Sequence, residues 1–224
     1  MGRGAGTGRL SAGGGAGAKS IDINGDKIDL SASPLVYGNK DSALTKEVRS
    51  VIDAWEEKRV KNKIEFNVFV MNDGTIIREN KGGKGSVKGL VSDRQTADVL
   101  SHNHPREEGV LGGTFSTADM SNFVNYHQTT YRATAKEGTY SISKGSNFKK
   151  DDFIKAFREA DKTASEKLSA QHKELNKKYY DGKIAKENYG TQLRDYFNAR
   201  LVESHNWLLA NQGKYGYSYT LERR

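Results

Sequence analysis

Two short polar strings in the middle of the chain have the residue types and spacing of a metal site. The first is His102-x-His104 and the second, after an eleven-residue gap, is Ser116-x-x-Asp119. On an extended strand, side chains two residues apart lie on the same face, so both imidazoles can reach one ion. Three nitrogen or oxygen ligands that leave one position open are typical of catalytic zinc. The spacing therefore predicts one Zn²⁺ ion held by His102, His104 and Asp119.

Each string also has an ordinary structural explanation. Ser-x-x-Asp is a common helix start, in which Ser116 would cap the helix and Asp119 would interact favourably with the helix dipole. Paired histidines are also common on protein surfaces. The two strings occur in order on a predicted strand, a glycine-rich loop at 109–113 and a predicted helix start. This combination is more specific than either string alone and favours the metal site.

The elements that must position these residues are indicated by hydrophobic spacing. Residues 64–71 are rich in Phe, Val and Ile, and an Asn-Asp-Gly turn and a second short strand follow them. Residues 131–135 and 139–143 predict another hairpin, and the apolar residues after Ser116 predict a helix. Upstream, the apolar spacing at 44–55 predicts an amphipathic helix that ends in the charged run 56–63.

Composition divides the chain into three predicted regions. Residues 1–20 are mostly Gly, Ala, Ser and Arg, which predicts a flexible arm. Residues 21–148 contain the predicted core, beginning with a small hairpin around Asn24-Gly25. Residues 149–224 predict a basic helical hairpin, interrupted near Asp181-Gly182, and a terminal strand. We expect this hairpin to dock on the core as an appendage that does not contribute to the metal site.

Composition also excludes several kinds of protein chemistry. The 224 residues include no cysteine, so disulfides, thiolate metal ligands and a cysteine nucleophile are excluded. No run approaches the roughly 20 apolar residues of a membrane helix, and we expect no membrane association. The net charge is +8, and residues 149–224 carry 16 Lys and Arg against 11 Asp and Glu. Because the signs are interspersed, we expect only weak, non-specific attraction to nucleic acid.

The strings His102-Asn103-His104-Pro105 and Phe115-Ser116-Thr117-Ala118-Asp119 resemble the JAMM (MPN+) metalloprotease motif, especially its prokaryotic, phage and RadC-like branch. The resemblance covers residues 64–143, and the segment between the second His and the Ser is a few residues longer than usual. It implies an α/β, cytidine-deaminase-like fold with a curved mixed β-sheet flanked by helices, here followed by the helical hairpin. It also implies a metallohydrolase core with a single Zn²⁺ ion.

The resemblance further implies a catalytic glutamate on an upstream strand. Glu65 is our candidate because it begins the apolar strand before the histidines. Its rivals are less suitable, since Glu56 and Glu57 belong to the charged end of a helix and Glu79 follows the second strand. By this analogy Glu65 would take a proton from zinc-activated water. Ser116, with its hydroxyl free for a substrate oxygen, would share in stabilising the oxyanion.

The resulting expectation is a zinc-dependent peptidase or isopeptidase that acts on a protein or peptide. Residues 132–143 resemble segments of phage head-morphogenesis proteins, which suggests phage structural proteins as partners. The expected location is then the bacterial cytoplasm or a phage particle. Two alternatives stay open: a deconjugase of a ubiquitin-like modifier, and a non-catalytic structural or DNA-associated phage protein with a structural metal.

Overall fold

The chain alternates between strands and helices and ends in a long helical hairpin. A computed structural model describes residues 20–23, 26–29, 43–106 and 109–223. The elements in chain order are β1 (Ser20–Ile23), β2 (Asp26–Asp29), α1 (Lys46–Arg59), β3 (Phe66–Val70), β4 (Ile76–Lys81), α2 (Val91–Thr96), β5 (Val99–Asn103), α3 (Thr117–Asn125), β6 (Thr130–Ala135), β7 (Gly138–Lys144), α4 (Lys150–Tyr180), α5 (Lys186–Ala210), α6 (Gln212–Tyr215) and β8 (Tyr217–Arg223). The predicted amphipathic helix and the strands of the three predicted hairpins are confirmed. The turn at 24–25 and nearly all of the predicted arm lie outside the described residues.

A six-stranded mixed sheet with the order β4-β3-β5-β6-β7-β8 organises the fold. β5 and β6 run parallel, and the other neighbours in the sheet are antiparallel. A parallel pair needs a crossover, and the segment containing α3 provides it. The expectation of a mixed sheet with helices is confirmed, and β1 and β2 form a separate two-stranded ladder. α2 was not predicted, because six residues are too few to show helical periodicity.

The two faces of the sheet are covered by different helices. On one face, α1 packs Val48, Ile52 and Trp55 against the valines of β3 and β5. On the other face, the larger core joins the sheet to α3, α4 and α5, and its members include Phe69, Leu100, Phe123, Tyr140, Phe153, Phe157 and Leu208. Because strand side chains alternate, His102 shares the second face with Leu100. The predicted metal ligands therefore lie between the sheet and α3.

Glu56 lies near the charged end of α1, as expected, but its side chain is buried. Its side chain accepts hydrogen bonds from Arg132 Nε at 2.7 Å, from Ser101 and from Thr139. Arg132 is fully buried and also pairs with Glu222 at 3.2 Å. Burial alone would lower the pKa of Arg132, but the two carboxylates raise it overall. The buried guanidinium of Arg132 thus supplies the opposite charge that a buried glutamate on the inner face of α1 needs.

The C-terminal region packs against the core through its long helices and its last strand. Phe153 and Phe157 of α4 belong to the main core, whereas Leu168, Tyr196 and Ala199 pair the two helical arms. β8 completes the sheet beside β7, and the predicted terminal strand is thus confirmed. Among the residues that the structure describes, no helix is both long and apolar enough to cross a membrane.

Candidate metal centre

The end of β5 and the start of α3 bring together the three predicted metal ligands. His102 lies in β5, and the backbone amide of His104 donates to the carbonyl of Thr134 at 2.8 Å. This bond keeps the chain extended beyond the strand, so both imidazoles point to one face. The two Nε2 atoms are 2.7 Å apart, and His102 Nε2 is 3.6 Å from Asp119 Oδ1. Ligand atoms of all three residues lie within 4.8 Å of one another.

His104 is held in the tautomer that a metal requires. Its Nδ1 lies 3.1 Å from the carbonyl oxygen of Gly113. A carbonyl oxygen can only accept a hydrogen bond, so the hydrogen of a neutral His104 is on Nδ1. The Nε2 lone pair is then directed towards His102 and Asp119. This arrangement fits a neutral imidazole ligand whose second nitrogen is oriented by a backbone carbonyl.

One oxygen of the Asp119 carboxylate accepts hydrogen bonds at the start of α3, and the other faces the candidate metal site. Ser116 is the N-cap of α3, and a full capping box is present. Asp119 Oδ2 accepts from the Ser116 amide at 2.8 Å and from its hydroxyl at 2.7 Å. Asp119 Oδ1 faces His102. The structural and the metal-binding explanations of Ser-x-x-Asp are therefore compatible.

The expected role of Ser116 needs a correction at this point. We expected its hydroxyl to be free for a substrate oxygen, but the hydroxyl donates to Asp119 and also accepts from the Asp119 amide at 3.1 Å. A serine hydroxyl has a single O–H to donate, and in this geometry it is directed at Asp119, so none is left for a substrate oxygen. Ser116 thus orients the third ligand.

The electrostatic environment keeps all three ligands in their metal-binding protonation states. Burial is the main cause that lowers the pKa of His102, and burial followed by the charge of His102 lowers the pKa of His104 to about 4. Burial would raise the pKa of Asp119, but the two histidines and the Ser116 hydrogen bonds lower it overall. Neutral imidazoles and an ionised carboxylate are the forms that bind metal ions.

The donor set fits a metal ion. Two imidazole nitrogens and one carboxylate oxygen suit zinc and related transition metals. In a tetrahedral zinc site with bonds of 2.0–2.1 Å, two nitrogens would be about 3.3 Å apart. The 2.7 Å separation of the Nε2 atoms would therefore increase by about 0.6 Å on binding the ion. His102, His104 and Asp119 can thus hold a metal ion.

Glu65 lies beside this group of ligands. It directly precedes β3, and backbone hydrogen bonds to Gly82 and Gly83 extend the strand geometry to it. The β3–β5 register pairs Asn67 with His102. Continuing that antiparallel register by two residues places Glu65 opposite His104, on the same face of the sheet.

The surroundings of Glu65 favour its protonated form more than water would. The residue is only 8% exposed. Burial, followed by the negative charge of Asp119, raises the pKa of Glu65 to about 7, while Arg106 opposes the shift. A carboxylate with a pKa near neutrality can accept and return a proton under ordinary conditions.

The rival glutamates lie elsewhere. Glu56 is paired with Arg132 on the opposite face of the sheet, under α1. Glu79 accepts a hydrogen bond from the Trp55 indole at 2.6 Å, and Glu57 is exposed on α1. The structure thus places Glu65, rather than these rivals, next to the metal ligands.

The loop between His104 and Ser116 is held by residues that the sequence did not single out. Glu137, in the turn between β6 and β7, accepts from the amides of Gly112 and Gly113. Asn198 of α5 accepts from the Leu111 amide at 2.9 Å and donates to the Gly109 carbonyl at 3.1 Å. The helical hairpin therefore contacts the loop beside the candidate ligands, and the ligand group itself contains no residue of the hairpin. Only the glycine-rich loop, whose amides need acceptors, could have signalled these contacts.

A scan against protein-family models and searches of curated proteins and solved structures found no match for this chain.

Proposed function

We propose that the protein is a zinc-dependent peptidase or isopeptidase of the JAMM type. The observation that carries the proposal is the convergence of His102, His104 and Asp119 on one point, with Glu65 beside them on the same face of the sheet. Two nitrogens, one carboxylate oxygen and a neighbouring proton acceptor are the requirements of a hydrolytic zinc site.

The proposed fold rests on the same region. A mixed sheet with α1 on one face and α3 on the other agrees with the curved, cytidine-deaminase-like sheet of JAMM proteins. The ligands occur at the end of a central strand and the start of the following helix, in the order that the motif resemblance implies.

Each residue has a defined task in the proposed hydrolysis. When bound, zinc would act as a Lewis acid that acidifies water and polarises a carbonyl group. Glu65 accepts the proton of the attacking water and returns it to the leaving amine as the peptide or isopeptide bond breaks. The Gly113 carbonyl keeps the His104 hydrogen on Nδ1, and Ser116 keeps Asp119 in place.

The decisive variant is Glu65→Gln, which retains the size of the side chain but cannot accept the proton. We expect it to bind zinc like the unmodified protein and to lose turnover on a panel of peptide and isopeptide substrates by at least about 100-fold. Glu57→Gln is the matched control, since it removes the charge of an exposed glutamate outside the site, and we expect it to retain activity. Loss of zinc from the Glu65 variant would mean that Glu65 is a ligand or a fold element.

The proposed setting is phage-associated, with head or tail proteins as substrates or partners, in the bacterial cytoplasm or the particle. This part rests on the resemblance of residues 132–143, together with the glycine-rich arm and the basic helical hairpin. The helical hairpin supports only weak nucleic-acid binding, because its lysines are interspersed with acids. Examples are the exposed pairs Lys162–Glu166 and Lys167–Glu203, with closest atoms at 4.0 and 3.8 Å.

A structural metal is the second candidate. The ligands connect the end of β5 to the start of α3 across a glycine-rich loop, so an ion there would cross-link two elements of the core. This candidate predicts zinc in the purified protein and no hydrolysis of any substrate on the panel. It also predicts that Glu65→Gln and Glu57→Gln behave alike.

A further inference from the structure

The carboxylate of Glu137 is the centre of a buried set of hydrogen bonds beneath the metal loop. Glu137 is 9% exposed and lies in the turn between β6 and β7. Its Oε1 accepts from the Gly113 amide at 2.9 Å and from the Tyr140 hydroxyl at 2.8 Å, and its Oε2 accepts from the Gly112 amide at 3.1 Å. Three donors on one buried carboxylate hold it in a single orientation.

The same loop residue contacts Glu137 and a candidate metal ligand. Gly113 donates its amide to Glu137 and receives Nδ1–H of His104 on its carbonyl oxygen. The residue has φ of +80°, and a Cβ added there would lie 2.4 Å from a methyl group of Leu201. The positive φ and this contact favour glycine at the position. Its amide lies in the peptide plane before Cα and its carbonyl in the plane after it, so Glu137 holds one of the two planes and the His104 hydrogen bond engages the other.

The backbone of the neighbouring Gly112 packs closely against the end of β6. A Cβ added at Gly112 would lie 2.1 Å from the Cβ of Ala135 at the end of β6. The backbone thus lies directly against the β6–β7 hairpin, where Glu137 is located. Without an acceptor at this place, two buried amides would lose their hydrogen bonds.

We propose that Glu137 is a positioning residue for the metal centre, which acts on His104 through the backbone of Gly112 and Gly113. It holds the loop so that the Gly113 carbonyl receives Nδ1–H and the Nε2 lone pair of His104 points at the other ligands. The inference rests on the proposed metal site and adds a residue outside the His-x-His and Ser-x-x-Asp strings. Partners that orient a ligating histidine typically contribute about 10–100-fold to metal affinity.

The test compares Glu137→Gln with Glu222→Gln. In the first variant, the amide that replaces the carboxylate retains only one acceptor oxygen and turns a donor group towards one of the loop amides. Glu222 is the matched control, since its carboxylate accepts from Arg49 of α1 and from Arg132, beside the same hairpin. Zinc affinity is measured by competition with a chelator. The His104 tautomer is measured by long-range ¹H–¹⁵N NMR of metal-free protein, and stability by urea unfolding.

We expect Glu137→Gln to weaken zinc binding by about 10–100-fold and to give a mixture of His104 tautomers. Glu222→Gln should lower stability and leave both readouts unchanged. Wild-type zinc affinity and a single Nδ1–H tautomer in a folded Glu137→Gln protein would overturn the inference. If that variant does not fold, Glu137→Asp takes its place, because its shorter carboxylate cannot reach both amides. Unchanged affinity and tautomer would again refute the role.

Failure of the metal site and failure of this inference give different results. If the unmodified protein binds no zinc, the proposed function is wrong. The NMR comparison in metal-free protein still decides whether Glu137 sets the tautomer of His104. If the protein binds zinc and Glu137→Gln changes neither readout, only the role of Glu137 is wrong.

Discussion

Ser116→Ala separates a capping role of the serine from a role in catalysis. In the structure, the hydroxyl caps α3 and also donates to Asp119 Oδ2 at 2.7 Å. The alanine variant removes both hydrogen bonds and leaves the backbone amide of residue 116 as a donor to that oxygen. We expect Asp119 to keep its place in the helix but to lose its fixed carboxylate orientation.

The expected magnitudes follow from these two bonds. Loss of a helix cap lowers the free energy of unfolding by about 1 kcal/mol. Loss of the partner that orients a metal ligand weakens metal affinity by about 10–100-fold, which corresponds to roughly 1.4–2.7 kcal/mol. Ser116→Thr is the matched control, because threonine keeps the hydroxyl and also caps helices. It should remain close to the unmodified protein in both respects.

The assay is zinc competition with a chelator, alongside urea unfolding of metal-free protein. A Ser116→Ala protein that loses about 1 kcal/mol of stability but keeps its zinc affinity within about threefold would refute the orienting role. Ser116 would then be a cap alone. Normal zinc affinity together with a loss of turnover would instead restore the role that the resemblance implied, a hydroxyl that contacts the substrate oxygen.

Further predictions concern the buried charges and the C-terminal region. Glu56→Gln leaves Glu222 as the carboxylate that pairs with Arg132. We expect the free energy of unfolding in urea to fall by about 3 kcal/mol. A fall of less than about 1 kcal/mol would contradict the interpretation of this ion pair. Burial lowers the pKa of His205 to about 4, so between pH 6.5 and 4 this residue binds a proton in the unfolded chain but not in the folded one. Its own contribution should lower stability by about 3 kcal/mol as the pH falls through this window. A His205→Gln variant should show a shallower decline, and an unchanged slope would count against this assignment. A chain ended at Phe148 loses β8 and the aromatic side chains of α4, so we expect it to aggregate; a soluble, zinc-binding fragment would support the three-region division instead.

Local patterns predicted the candidate metal ligands well, because their arrangement depends on nearby backbone geometry. The period of two along a strand is sufficient to place His102 and His104 on one face. The Ser-x-x-Asp spacing is likewise local, and it predicted both the helix cap and the position of the third candidate ligand. The sequence could not show that the two uses engage different oxygens of Asp119, or that the hydroxyl of Ser116 is occupied.

Buried charges were the main failure of the sequence interpretation. A glutamate in a charged helix end or a tight turn is ordinarily exposed, so Glu56 and Glu137 carried no signal of burial. Their partners are remote: Arg132 is 76 residues from Glu56, and Gly112 is 25 residues from Glu137. Such contacts depend on the order of the strands in the sheet, and hydrophobic periodicity along the sequence gives no information about that order.

The position of the last strand in the sheet could not be predicted, for the same reason. The alternation of Tyr217, Tyr219 and Leu221 predicted a strand, and that strand is present as β8. Its pairing with β7 depends on the return of the chain through two long helices. The contacts between α5 and the loop at 109–113 depend on that return as well.

The central claim is that His102, His104 and Asp119 hold zinc, and metal analysis of the purified protein tests it most directly. The measurement compares the unmodified chain with His104→Ala and with His127→Ala, whose side chain is 54% exposed outside the site. We predict close to one zinc ion per chain in the unmodified protein and in His127→Ala, and little or none in His104→Ala. Equal zinc in all three proteins, or none in any of them, would contradict the claim.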